Sequence, residues 1–299
     1  MLDKVNAVQK MQDYIEQNLE KVITLENLAR EAGYSASYAS RIFKELTGIS
    51  PLDYIRARKL SRAAQRLRDM SGKILDTAFD TLYDSHEGFT RAFTRQFGIT
   101  PEYYRKNTPP IPLFLPYSAR DYYLYARKGV KINMERPNTS TVFVQVAERP
   151  ARKLILKRGL NAAHYFEYCE ELGCDVYGVL ISIKEALYEP IGMWLPDKLR
   201  KPGTSVYAQG VEVPLSYNGE IPEGMEIIEL PPCKMMVFQG PAYKDEEMGA
   251  AIDAIWSAMN DYKPEVYGYA WADEDAPRYQ LAPIPERGYI EARPVRAIR

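Results

Sequence analysis

A fourteen-residue pattern occurs twice, fifty residues apart, in the first third of this 299-residue chain. "RIFKELTGISPLDY" begins at Arg41, and "RAFTRQFGITPEYY" begins at Arg91. In each copy, a glycine that can end a helix is followed by a Ser-Pro or Thr-Pro step that can begin the next helix. The repeat therefore predicts two copies of one helical arrangement, joined by a long helix.

The first copy predicts a helix-turn-helix motif. Thr24 can cap one short helix, Gly33 can supply the positive φ of a tight turn, and Ser35 can cap the next helix, which ends at Gly48. The second helix of such a motif lies in the major groove of DNA. Its predicted inner stripe is Tyr38, Ile42, Phe43 and Leu46. The candidate DNA-binding residues on its outer side are Ala36, Ser37, Ser40, Arg41 and Lys44.

The second copy predicts a helix over "KILDTAFDTLYD", a cap at Asp84 or Ser85, and a second recognition helix, "HEGFTRAFTRQFG". A duplex of B-DNA presents the same groove face about every 34 Å, so two such units could read adjacent turns. Phe89, Ala92, Phe93 and Phe97 form its predicted inner stripe. The candidate DNA-binding residues on its outer side are His86, Glu87, Thr90, Arg91 and Arg95.

Local charge supports a nucleic-acid partner, although the net charge of the whole chain is only −1. Residues 35–68 contain eight basic side chains and two acidic ones. A basic stripe on a neutral protein is typical of a DNA-binding face, and a solvated helix face is the alternative. The arginines of the long helix over 51–69 are expected to face water or phosphate.

Composition and short motifs argue against several other classes of protein. No apolar run is long enough for a membrane span, and the amphipathic start does not resemble a signal peptide, so a cytoplasmic protein without membrane contact is expected. Three cysteines without a CxxC pair and two lone histidines predict no metal site. The chain has no GxSxG, HExxH or P-loop motif, so neither catalytic residues nor a cofactor is predicted.

Residues 8–106 resemble the DNA-binding module of AraC/XylS-type transcription regulators. The segments that carry the resemblance are "LENLAREAGYSASYASRIFKELTGISPLDYIRARKLSRAAQRLR" and "ILDTAFDTLYDSHEGFTRAFTRQFGITPEYYR". The resemblance implies that Ser37, Ser40 and Arg41 contact one half of a DNA site. It implies that His86, Glu87, Thr90 and Arg91 contact the other half.

The pattern changes after a Pro-rich stretch that begins at "KNTPPIPLFLP". We expect an all-α DNA-binding domain over 1–107, a linker over 108–140 and an α+β domain over 141–299. Within the last domain, "PARKLILKRG" and "PPCKMMVFQG" align at an offset of 81 residues. A helical segment and then strands follow each copy, which predicts two pseudo-symmetric βαββ repeats.

This second domain resembles the GyrI-like effector-binding domain of Rob-type and BmrR-type regulators, through "PPCKMMVFQGPAY", "YGYAWADEDAPRYQLAP" and "YIEARPV". The resemblance implies a small-molecule cleft between two halves. Gln280 stands where family members often carry an acid. Aromatic rings and strand carboxylates are suited to bind an organic ligand. The candidate effector-binding residues are Tyr165, Glu185, Trp194, Tyr207, Glu212, Tyr269, Trp271, Tyr279 and Glu291.

Together these patterns predict a one-component transcription regulator. We expect it to bind double-stranded promoter DNA, to sense a small aromatic or amphiphilic effector and to contact RNA polymerase. The alternatives are a DNA-binding protein whose second domain is a small-molecule hydrolase or a protein-interaction module.

Overall fold

The computed structural model describes residues 2–69, 86–116, 141–173, 175–244 and 247–298. The chain divides into two compact units, Met1–Ile132 and Asn133–Arg299. The predicted helix "KILDTAFDTLYD" and its predicted cap at Asp84 or Ser85 lie outside the described residues. The predicted domain limits at 107, 140 and 141 stay predictions.

The first unit is helical. The described helices are α1 (Leu2–Gln17), α2 (Leu25–Ala32), α3 (Ala36–Thr47), α4 (Pro51–Asp69), α5 (His86–Phe97) and α6 (Pro101–Asn107).

The predicted helix signals are present at the N-terminal ends. Thr24 accepts a hydrogen bond from the Asn27 amide, and the Asn27 side chain accepts one from the Thr24 amide, which completes a capping box. Ser35 accepts from the Tyr38 amide at 3.4 Å, and Ser50 accepts from the Asp53 amide at 3.2 Å. Each cap satisfies an amide that the helix itself leaves unpaired.

Glycine ends the two helices that matter most to the motif. Gly33 follows α2 with φ +70° and Gly48 follows α3 with φ +79°. Both conformations lie in the left-handed region, which a side chain with a Cβ adopts only with strain. The chain therefore turns sharply between α2 and α3, as the sequence predicts.

The core of the first copy lies among α1 to α4. Ile15, Leu28 and Phe43 are almost fully buried there, and burial of each side chain contributes about 1.5–3 kcal/mol. The Phe43 ring meets the Tyr54 ring edge-on at 5.3 Å, which joins α3 to α4.

Residues 108–116 pack on this first unit. Ile111 and Leu113 are buried, and the Phe114 ring lies edge-on to Tyr54 at 5.1 Å. The Phe114 amide donates to the Ser61 hydroxyl at 2.8 Å. The first part of the predicted linker, 108–116, is therefore ordered against the first unit.

The second unit is built on one antiparallel sheet. Its strands are β1 (Phe143–Arg149), β2 (Arg152–Arg158), β3 (Ile191–Trp194), β4 (Tyr207–Val213), β5 (Glu226–Leu230), β6 (Cys233–Gln239), β7 (Tyr269–Trp271), β8 (Arg278–Gln280) and β9 (Ile290–Ala297). Their order is β1-β6-β9-β8-β3-β4-β2-β5, and β7 pairs with β9 outside this path. The helices are α7 (Tyr165–Leu172), α8 (Asp175–Ser182) and α9 (Met248–Asp261). Sequence reasoning identified α7 and α9 but missed α8.

Two strand pairings place the centre of the sheet. Gly192 of β3 pairs with Gln280 of β8, and Gln280 pairs in turn with Glu291 of β9. Since side chains alternate between the faces of a strand, Glu291 and Ala292 point to opposite faces.

Candidate nucleic-acid interface and effector site

The first candidate recognition helix, α3, presents a polar outer side. Its buried side chains are Ala39, Ile42, Phe43 and Thr47, while the predicted inner residues Tyr38 and Leu46 are only partly buried. Among the candidate residues, Ser37, Arg41 and Lys44 are exposed and Ser40 is half-buried. Ala36, predicted to point outward, is half-buried against the core.

Arg41 lies on an aromatic ring of its own helix. Its guanidinium carbon is 4.8 Å from the centroid of the Tyr38 ring, and the Tyr38 ring is 4.8 Å from that of Tyr34. A cation over an aromatic face gains about 0.5–1 kcal/mol at an exposed site. The ring therefore restricts the rotamers of a side chain that otherwise extends into solvent.

The second candidate recognition helix, α5, also has a buried apolar side and an exposed polar side. Phe89, Phe93 and Phe97 are buried, and the Phe93 ring also lies 5.9 Å from Tyr104 of α6. Ala92, the fourth predicted inner residue, is half-buried. His86, Glu87, Arg91 and Arg95 are exposed, and Thr90 is half-buried.

The exposed cations of these two helices have no carboxylate within 4 Å in the described part of the chain. No ion pair there involves Arg41, Lys44, Arg91 or Arg95. Guanidinium groups in this state can donate two parallel hydrogen bonds to guanine or to a phosphate.

The expectation that the arginines of α4 face water or phosphate is confirmed for Arg56, which is exposed, and is wrong for Arg58, which is buried. Arg62, Arg66 and Arg68 are half-buried, and most of these side chains are paired on the surface of the unit. Arg56 pairs with Asp53 at 2.8 Å, Arg68 pairs with Asp69 at 2.6 Å, and Arg62 and Arg66 both pair with Glu20. The Lys59 ammonium donates to the Lys21 carbonyl at 2.9 Å, and burial lowers its pKa. These basic groups are held by acids and carbonyls of the same unit.

Arg58 is the most enclosed of them. Its Nε and Nη2 donate to the two carboxylate oxygens of Glu16 at 2.7 and 2.6 Å, and its Nη1 donates to the Phe114 carbonyl at 2.6 Å. Only 11% of its side chain is exposed. This bidentate pair joins α1, α4 and the 108–116 segment.

Four of the nine candidate effector residues come together on one face of the sheet, the face that carries the helices: Tyr165, Trp194, Tyr207 and Glu291. Tyr165 begins α7 and packs in the same core as Trp194 and Tyr207. The Trp194 and Tyr207 rings meet edge-on at 5.4 Å, and both pack with the side chains of α7 and α8. Arg278 connects them to Glu291, because its guanidinium lies 5.0 Å from the Trp194 ring centroid and its Nε donates to Glu291.

Glu291 is completely buried and accepts three hydrogen bonds. Trp256 of α9 donates from Nε1 at 2.7 Å, Tyr289 donates from its hydroxyl at 3.2 Å, and Arg278 provides the third bond with its positive charge. Burial and the neighbouring carboxylate raise the pKa of Tyr289. We name the group Trp194, Tyr207, Trp256, Arg278, Tyr289 and Glu291 the Glu291 cluster.

Sequence reasoning missed the role of Arg278 and Tyr289. The alternation of β8 and β9 is the signal that could have found them, since Arg278 and Glu291 occupy the same face on neighbouring strands. Tyr207 completes the floor of the cluster. Its hydroxyl is buried without a hydrogen-bond partner among the described residues, and it lies so near Gly192 that a Cβ there would be 2.0 Å away.

Two other candidates lie on the opposite face. Glu212 is buried and accepts from Arg152 at 2.6 Å, with Arg149 at 3.4 Å. Tyr279 accepts a hydrogen bond from Arg149 at 2.9 Å and packs in the core of that face. The structure therefore does not bring the Glu212 and Glu291 carboxylates to one site.

The last three candidates are dispersed. Tyr269 and Trp271 pack with Phe238 in a smaller core. Glu185 is exposed after α8.

A cleft of about 600 Å³ lies elsewhere in the second unit. Its lining includes Arg149, Lys198, Cys233, Lys234 and Arg296, and it contains no residue of the Glu291 cluster. Burial raises the pKa of the Cys233 thiol, although Arg152 lies within 3.5 Å. The Glu291 cluster is the better candidate site because its aromatic and charged groups converge.

Metal binding has no ligand set in the residues that the structure describes, where no three His, Cys, Asp or Glu side chains converge. No described helix is both long and apolar enough to cross a membrane.

Comparison with known proteins relates the first unit to helix-turn-helix proteins. A helix-turn-helix domain family matches residues 28–107. The transposon Tn10 TetD protein of Escherichia coli is 44% identical over 94 residues, which are 31% of this chain and 68% of TetD. The multiple antibiotic resistance protein MarA of Salmonella typhimurium is 37% identical over 99 residues, which are 33% of this chain and 78% of MarA.

These findings define a transcription regulator with a helix-turn-helix DNA-binding domain. The chain belongs to the AraC/XylS-type regulators. It spans only 37% of another relative, the transcriptional regulator Rob of Salmonella typhimurium, with 39% identity over 107 residues.

Two solved structures were also matched. The DNA-binding domain of AdpA in complex with a target DNA is 28% identical and covers 33% of this chain and 89% of that domain, with a TM-score of 0.30. SAV2435 bound to tetraphenylphosphonium is 14% identical and covers 52% of this chain and 94% of that protein, with a TM-score of 0.35. TM-scores at this level do not establish a common fold.

Proposed function

We propose that α3 and α5 read two adjacent turns of promoter DNA. The observation that carries this proposal is the equivalent placement of Arg41 and Arg91, fifty residues apart, each exposed on the outer side of its helix. In the described residues, neither has an acidic partner that must be displaced before it binds DNA. Ser37, Ser40, Lys44, Thr90 and Arg95 share these surfaces, together with His86 and Glu87.

The length of α4 supports a two-turn footprint. Its 19 residues span about 28 Å at 1.5 Å per residue, and it packs against α3, α5 and α6. A spacing of about 34 Å between equivalent major-groove faces is close to this length. The proposed role of α4 is that of a spacer, with its basic side chains bound within the unit.

The test begins with duplexes that the wild-type chain selects from a random library. We expect Arg41→Ala and Arg91→Ala each to weaken binding by about 1–3 kcal/mol and to relax selectivity at different base pairs. Arg62→Gln removes the same charge from α4 and is the matched control, because Arg62 is paired with Glu20. Unchanged affinity and base preference in both variants would overturn the proposal.

For the second unit, we propose a sensor of a small aromatic or amphiphilic effector with a GyrI-like duplicated architecture. The sheet order supports the duplication. When the order is read from the other end, β1 takes the place of β5, β2 that of β6, β3 that of β8 and β4 that of β9, and the reverse is also true. The convergence of Trp194, Trp256 and buried Glu291 supports the site. Effector binding would change DNA affinity or contact with RNA polymerase, provided that it favours one of two states.

All three tryptophans lie after residue 190, so their fluorescence reports on the second unit. We expect amphiphilic compounds to change this fluorescence and to raise the melting temperature of the full chain. A library without any such compound would favour a protein-interaction role. Ester hydrolysis that disappears in Glu291→Gln would favour the hydrolase alternative.

A further inference from the structure

The carboxylate of the Glu291 cluster is already fully occupied by the chain itself. Three donors, from Trp256, Tyr289 and Arg278, bond to its two oxygens, and the carboxylate has no exposed surface. A buried carboxylate attracts a cation only when its charge is not compensated. Here Arg278 compensates it.

Arg278 also covers the aromatic surface that a cation would use. Its guanidinium lies over the Trp194 ring while its Nε bonds to Glu291. Carboxylate and aromatic face are the two elements that bind an organic cation, and one side chain of this protein occupies both. An external cation would have to displace Arg278 and leave it unpaired.

The groups that remain available for a ligand are hydrogen-bond donors. Arg278 is one-third exposed, and its two terminal nitrogens make no hydrogen bond to the described part of the protein. The Tyr207 hydroxyl has no partner there either, but it is fully buried, so the Arg278 nitrogens are the groups open to a ligand. An anionic or hydrogen-bond-accepting group can bind these donors without separating Arg278 from Glu291.

We propose that Arg278 sets the ligand class of this site, so that it binds amphiphiles with an anionic or hydrogen-bond-accepting group and rejects organic cations. This inference rests on the proposed sensing function. Glu291 acts as the residue that positions the Arg278 guanidinium. Trp256, which donates to Glu291 and is 39% exposed, supplies apolar surface for the hydrophobic part of the ligand.

The test uses two probes of nearly equal size and opposite charge, tetraphenylborate and tetraphenylphosphonium. Calorimetric titration of the full wild-type chain at pH 8 is expected to give at least about tenfold tighter binding of the borate. Arg278→Gln leaves Glu291 uncompensated, so the preference should fall to parity or reverse. Glu291→Gln leaves the Arg278 charge uncompensated, so the borate preference should increase.

Two further variants separate charge from folding. Arg278→Lys keeps the positive charge and is expected to keep the borate preference. Arg293→Gln is the matched control, because Arg293 lies 4.2 Å from the Trp271 centroid and pairs with Asp273 rather than with Glu291. It removes one positive charge and should leave the preference unchanged.

The outcomes distinguish the two levels of the hypothesis. Binding of both probes with equal affinity in every variant would retain the sensor and overturn the role of Arg278. A wild-type preference for the phosphonium would overturn the proposed ligand class. Absence of binding for both probes, together with a library in which no compound binds, would reject the sensor itself.

Discussion

Two sets of arginines in the first unit differ in what surrounds them. On the recognition helices, Arg41 and Arg91 extend into solvent without an ion pair in the described structure. On α4, Arg56, Arg62 and Arg66 each have an acidic partner within 4 Å. The sequence presents all of them as one basic region, so charge density alone does not identify a DNA-reading surface.

The same comparison applies to energetics. An arginine with an acidic partner must exchange one interaction for another before it binds a phosphate, whereas an unpaired one only loses water. Basic residues of α4 therefore contribute to the stability of the unit, and those of α3 and α5 are available to DNA.

The largest effect is expected when the Arg58–Glu16 pair is broken. Arg58→Met leaves the Glu16 carboxylate and the Phe114 carbonyl without their donors, and removal of one partner of a buried pair costs roughly 3 kcal/mol. Urea unfolding followed by circular dichroism should show the loss. Tryptophan fluorescence reports only on the second unit and should show an unchanged transition.

The matched variant for that experiment is Arg56→Met. Arg56 pairs with Asp53 on the exposed side of α4, and such pairs contribute about 0–1 kcal/mol. If Arg58→Met were no more destabilising than Arg56→Met, the enclosed Arg58–Glu16 pair would not stabilise the unit, and the proposed structural role of the α4 arginines would be wrong.

Tyr104 is a buried polar residue of the first unit whose hydroxyl, in contrast to the Arg58 guanidinium, has no hydrogen-bond partner in the described residues. We expect its substitution to change stability less than that of Arg58. Burial raises the pKa of Tyr104 to about 12. Because the folded-state pKa lies above the unfolded value of about 10, ionisation favours the unfolded state, and the unit loses stability as pH rises from about 10 toward 12.

Tyr104→Phe removes both the group and its titration. We expect a gain of about 1 kcal/mol at pH 7, since an unsatisfied buried hydroxyl is removed, and a weaker loss of stability between pH 9 and 11.5. Urea unfolding at several pH values measures both. Parallel pH curves for wild type and Tyr104→Phe would contradict the assignment.

The sequence predicted the helix caps and the glycine turns, but it did not predict which groups pair with the charged side chains. Ser35, Gly33 and Gly48 are local signals, because each acts within four residues of itself. The Glu16–Arg58 pair joins residues 42 positions apart, and no spacing rule predicts it. Local periodicity predicts that Arg58 lies on a helix, but it does not predict which other helix packs against Arg58.

The candidate effector site shows the same limit. The prediction of strand carboxylates is confirmed for Glu212 and Glu291, which lie on β4 and β9 with apolar neighbours. Which face of the sheet each occupies depends on the register of β4 and β9 with other strands, and the sequence does not contain that register in readable form. Glu212 consequently lies with Arg152, and Glu291 lies with Arg278.

A still smaller effect is expected from the ring beneath Arg41. Tyr38→Leu removes the cation–π contact, so the free Arg41 side chain samples more rotamers, and DNA affinity should fall by about 0.5–1 kcal/mol. Fluorescence anisotropy with a selected duplex measures this change. In an Arg41→Ala background, the same substitution should have no further effect, and a full additive loss there would refute the coupling.

The smallest effect is expected from Glu20, which pairs with both Arg62 and Arg66. Because 59% of its side chain is exposed, Glu20→Gln should change the free energy of unfolding by no more than about 1 kcal/mol. If α4 serves as a spacer, the dependence of DNA affinity on salt should also stay the same, because the released arginines do not reach the phosphates. A steeper dependence would mean that α4 lies against the DNA backbone and that Glu20 competes with phosphate for its arginines. That result would place the two sets of arginines on one continuous DNA-binding surface.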